Sequence, residues 1–159
     1  MGQDAKGKAM SANDDLIKLY SQRILALAAD IPHTERLEAP DATVRRRAPL
    51  CGSTVTVDVA MDGDRLADLG MDVKACALGQ ASAAVAGAAA IGCTRAQIEA
   101  ARDALKAMLK NDGPTPPAPF DGLEVLRPAR DYKNRHASIM LTLEALAEAM
   151  EHAETAQTA

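Results

Sequence analysis

The chain has 159 residues, 48% hydrophobic and 25% charged, enough for one domain with a real core. A net charge of −4 offers no basic footprint for nucleic acid, and no apolar run approaches the roughly 20 residues of a membrane span. Neither nucleic acid nor membrane is therefore expected as a partner. Aromatic residues make up 2% and tryptophan is absent, so the core has to be aliphatic. Three widely spaced cysteines form no secreted disulfide framework, and the N-terminus shows no signal pattern. A reducing cytoplasm is the expected compartment, where thiols serve as ligands, nucleophiles or core filler.

Residues 1–12 are small and polar and read as a disordered lead-in to one domain over 13–151, with a frayed tail over 152–159. Asn13 reads as an N-cap, with Asp14 and Asp15 in the first turn, opening a helix striped by Leu16, Leu19, Tyr20, Ile24 and Leu27. Pro32 stops it, and the stretch from His33 to Asp41 reads as a loop. Thr43 to Leu50 is a strand with two polar faces. Thr54 to Met61 is a cleaner one, with Val55, Val57, Val59 and Met61 inward and Thr54, Thr56 and Asp58 outward. Asp62-Gly-Asp64 is a hairpin turn. The returning strand places Leu69, Met71, Val73 and Ala75 inward.

Helices fill the remainder. Gly79 to Ala90 is a small-residue helix closed by Gly92, and Thr94-Arg-Ala-Gln97 is a capping box. The next helix carries Ile98, Ala101, Leu105, Met108 and Leu109 as its stripe. Asn111 to Gly122 holds four of the eight prolines and reads as a surface loop, and Leu123 to Leu126 as a short turn of structure. A last helix runs from about Asn134 to Glu151. The expected fold is α+β: a small antiparallel three-stranded sheet with helices packed on one face and the other face wet.

Three residues could converge. Cys51, in Ala48-Pro-Leu-Cys-Gly-Ser53, precedes one strand, and Cys76 ends the next and precedes a helix, so the hairpin returns both to one edge of the sheet. A thiol at a helix N-terminus feels the dipole that favours thiolate, which makes Cys76 the expected nucleophile. His136 opens the last helix and could add an imidazole. The plainer reading is three unrelated residues, since cysteine is a common core residue and no CxxC pair is present. Cys93, between two helices, reads as structural, and His33 and His152 have nothing beside them. Arg45 to Arg47 reads as a solvated edge, with docking of an acidic partner as the alternative.

From about Leu16 to Met150 the chain resembles the U-type iron–sulfur cluster assembly scaffolds. The matching pieces are Leu19-Tyr20 with Ile24-Leu25, Pro49-Leu-Cys-Gly52, Ala75-Cys76 leading into Gln80-Ala-Ser82, and Arg135-His-Ala-Ser138. The Pro-rich stretch from Gly113 to Phe120 is similar to the insertion of the branch that works with the sulfur-mobilisation desulfurase. The chaperone-binding Leu-Pro-Pro-Val-Lys motif of the other branch is absent, and Leu126-Arg-Pro-Ala-Arg130 stands nearby.

The family carries three cysteines and an aspartate. The resemblance matches Cys51 and Cys76 to the first two cysteines, Ser53 to the aspartate and His136 to the third cysteine. It implies a Cys51–Cys76–His136 site, with Ser53 a poor fourth ligand, for a labile [2Fe–2S]-type cluster or for Zn2+. The function it implies is a non-enzymatic scaffold that receives sulfur from a cysteine desulfurase and serves apo iron–sulfur acceptor proteins, as a monomer or weak homodimer. The alternatives are a zinc-dependent sulfurtransferase with Cys76 as sulfur acceptor, and a divergent member keeping a structural metal alone.

Overall fold

The computed structural model describes residues 20–158. The lead-in and the expected Asn13 cap lie outside them. Helix α1 spans Gln22–Ala29, β1 Ala42–Arg47, β2 Thr54–Asp62, β3 Arg65–Lys74, α2 Ala77–Ala90, α3 Arg95–Asn111, a 3-10 helix Asp121–Asp131 and α4 Lys133–Thr158. None of these helices is long and apolar enough to cross a membrane.

The three strands form an antiparallel sheet in the order β1-β2-β3, so the α+β expectation holds. Arg47 pairs with Thr54, and Thr54 with Lys74. The end of β1, the start of β2 and the end of β3 therefore meet at one end of the sheet. Val44, Val55, Val57, Val59, Leu69 and Met71 are buried. Helix α4 lies across β1 and β2 and also packs against α2 and α3, while α1 packs on α2. The stripe expected for α3 is the one buried, and both halves of the Thr94–Gln97 capping box are formed.

Four departures matter. The first described helix starts after Tyr20 and is capped at Ser21, whose hydroxyl accepts from the Ile24 N–H at 3.3 Å, while Leu16 and Leu19 lie outside the described residues. The second concerns the wet face. Asp58, expected outward in water, is 1% exposed, because the 33–41 segment folds back over that face. Arg36 holds its carboxylate with two donors at 2.6 and 3.0 Å, and the Leu37 N–H and Thr43 hydroxyl add two more bonds. Third, the short turn near Leu123 is an eleven-residue 3-10 helix, anchored by Phe120, Leu123, Leu126 and Ala129. Fourth, the tail is helical to Thr158, since Ala153 is buried and Glu154 pairs with Arg95 at 2.8 Å.

Candidate functional site

The β1–β2 connection is a tight loop closed by two backbone bonds, Ala48 N–H to Ser53 O at 2.8 Å and Gly52 N–H to Ala48 O at 3.1 Å. Gly52 has φ 72°, the left-handed region that favours glycine. This turn pushes Leu50 and Cys51 into solvent and tucks Ser53 under the sheet end, where it is 5% exposed. Cys76, half-buried, is the N-cap residue of α2 at the same end, as its place after β3 suggested.

The two sulfurs meet through a pair of serines. Cys51 Sγ lies 3.3 Å from Ser53 Oγ, Ser138 donates to Ser53 Oγ at 3.0 Å, and Cys76 Sγ is 3.5 Å from Ser138 Oγ. Ser138 comes from α4, which α2 approaches closely: a Cβ on Gly79 would sit 2.5 Å from Ser138 Oγ and 2.8 Å from the Ala75 Cβ. Ser82 donates to the Ile139 carbonyl at 2.7 Å and pins the same crossing. The Ser53 hydroxyl, followed by its backbone N–H, holds the Cys51 thiol below the usual cysteine range against a smaller opposing effect of burial. When Cys51 ionises, Ser53 can turn its hydrogen to the sulfur while accepting from Ser138.

His136 does not join this group. Ser138 faces the sulfurs, and a residue two positions earlier projects about 200° away around an α-helix. The His136 Nε2 instead sits 3.0 and 3.1 Å from the carbonyl oxygens of Ala129 and Arg130, so it carries a proton and closes the end of the 3-10 helix. The third position at the sulfurs is Ser138, a residue the sequence reading quoted in a motif but gave no role.

The donor set is thus two thiols and two hydroxyls. Among the described residues no group of three or more His, Cys, Asp or Glu could hold a metal ion. Protein zinc sites draw on Cys, His and carboxylates, so the expected Cys51–Cys76–His136 zinc site is not formed and a resident zinc does not fit. Cys93 is structural as expected: it is 4% exposed, bonded to the Ala89 carbonyl at 3.3 Å, and burial pushes its thiol up.

No protein-family model and no curated protein matches the chain. Solved structures do. The crystal structure of a nitrogen-fixing NifU-like protein (N-terminal) from Brucella abortus is 42% identical, with a TM-score of 0.86 over 89% of this chain and 98% of that one. The chain belongs to the U-type iron–sulfur cluster assembly scaffold family. Two more distant likenesses show the same fold. One is a SUF-system cluster assembly scaffold from Fervidobacterium islandicum AW-1, at 20% identity and a TM-score of 0.74 over 84% and 98% of the two chains. The other, a hypothetical protein, has 24% identity and a TM-score of 0.73 over 85% and 98%. Within this fold Cys51, Ser53 and Cys76 stand at one end of the sheet with Ser138, and His136 stands apart from them.

Proposed function

We propose that this U-type protein accepts sulfur on Cys51 from a cysteine desulfurase and holds a nascent cluster between Cys51 and Cys76, for delivery to apo iron–sulfur proteins. The observation that carries this reading is an exposed, acidified thiol on a turn, joined by two serines to a second thiol. Sulfur transfer needs a thiolate that a partner can reach; Cys51 is exposed and its thiol is held below the usual cysteine range, whereas Cys76 is half-buried. The acceptor role expected for Cys76 is therefore reassigned to Cys51.

The step balances without an oxidant. The Cys51 thiolate attacks the outer sulfur of the donor persulfide, the donor S–S bond breaks, and its own thiolate leaves. Iron, as cargo, finds two thiolates on this chain, and its remaining ligands come from a partner, a small thiol or a second copy. The chemistry requires free thiols and so a reducing compartment such as the cytoplasm.

The test is anaerobic. The protein is incubated with a cysteine desulfurase and cysteine, and the sulfur gained is located by mass spectrometry. One added sulfur on Cys51 is expected, lost in Cys51→Ser and kept in Cys76→Ser. Addition of ferrous iron with a thiol reductant, which supplies the electrons that take persulfide sulfur to sulfide, should then give visible charge-transfer absorption. Sulfur on neither cysteine, or tightly bound zinc with no visible bands after reconstitution, would overturn the reading.

A further inference from the structure

The chain is acidic overall, yet one cleft is cationic. It has a volume of about 790 Å³ and is lined by Lys106 and Lys110 of α3 together with Arg46, Arg47, Arg130 and Lys133. Glu144 is the one carboxylate in its lining, where Leu109, Met140 and Leu141 are nearly buried.

These charges are poorly compensated. Arg130 pairs with Asp112 at 2.7 Å and Arg46 with Glu148 at 3.1 Å. Arg47, Lys106, Lys110 and Lys133 have no ion pair among the described residues. The Arg46 Nε is buried with no hydrogen-bond partner. Lys106 and Lys110 are one helical turn apart, a spacing at which like charges repel. Four cations without ion pairs around one cleft repel one another, and an anionic occupant would relieve that repulsion.

The cleft runs up to the turn that carries Cys51. Ala48 and Pro49 line it just ahead of Cys51, and an Arg47 guanidinium nitrogen lies 3.9 Å from where a Gly52 Cβ would be. Leu50, beside Cys51, is 86% exposed. A small inorganic anion would leave Leu50 in water. A peptide with carboxylates and an apolar side chain would cover it while meeting the cations of the cleft. We propose that this cleft is the docking site for an acidic segment of a protein partner, which then stands over Cys51. The proposal is independent of whether that partner delivers sulfur or receives a cluster.

The test measures fluorescence anisotropy of a labelled Glu-rich decapeptide with one central Leu, added to the full chain at low ionic strength. Saturable binding that weakens with added salt is expected. Lys106→Glu/Lys110→Glu should weaken it at least about tenfold, and Lys133→Glu should weaken it too. Arg23→Glu/Arg65→Glu, the same charge change away from the cleft and the thiols, should have little effect. All substituted residues are exposed, so the variants should fold, which circular dichroism checks. Equal loss in both double variants would reduce the effect to net charge and overturn the proposal. No saturable binding would overturn it as well, as would inorganic pyrophosphate displacing the peptide at equal concentration.

Discussion

At the scale of single residues, the site is decided by which side chain of α4 faces the sulfurs. Ser138 does, and its hydroxyl with that of Ser53 makes a chain whose hydrogens can all point toward one thiolate. Removing the near hydroxyl should therefore remove the acidity. In Ser53→Ala the alkylation rate of Cys51, followed against pH by peptide mass spectrometry, should rise only at higher pH than in the parent, so less thiolate is present at neutrality. Ser138→Ala should shift the profile the same way by less, because Ser138 contributes less than Ser53 to lowering the Cys51 thiol. An unchanged profile in both would mean that the serines do not tune the thiol. The Cys51 turn and the Cys76 cap were legible in the sequence because local turn and strand signals set them. Ser138 was not: the motif around it was visible, but the rotation of α4 about its own axis depends on packing against α2. A two-residue error in that phase exchanges His136 for Ser138.

At the scale of elements, alternation marked β2 and the hairpin, and the Thr94–Gln97 box and its stripe marked α3. Asp58 escaped that reading because its partner, Arg36, sits on a loop with no periodicity. The loop turns an outward strand position into a buried ion pair that fastens residues 33–41 to the sheet. Asp58→Asn should lower the unfolding free energy by about 2–3 kcal/mol in urea titrations at neutral pH, below the range for a fully buried pair because Arg36 is half-exposed. The Arg36 hydrogen bonds depress the Asp58 carboxyl, with burial opposing them. A depressed carboxyl adds stability that is present above the ordinary carboxylate range and lost as pH falls through its folded value. The parent should thus lose stability on acidification more steeply than Asp58→Asn.

At the scale of the whole molecule, an aliphatic core was legible from composition, but its closure was not. Phe120, the one phenylalanine in the chain, is 2% exposed and seats the Pro-rich stretch and the 3-10 helix together. Phe120→Ala should cost about 3–4 kcal/mol of unfolding free energy, read by circular dichroism because there is no tryptophan. That closure also supports the start of α4, through the His136 bonds to the last carbonyls of the 3-10 helix. Helix α4 then carries Ser138 toward the thiols and Met140 and Leu141 into the cationic cleft within a single turn. An occupant of the cleft that moved Ser138 relative to Ser53 would change the proton affinity of Cys51, and protonation would then change the hold on that occupant by the same free energy. Cleft and thiols would then be two terminals of one lever.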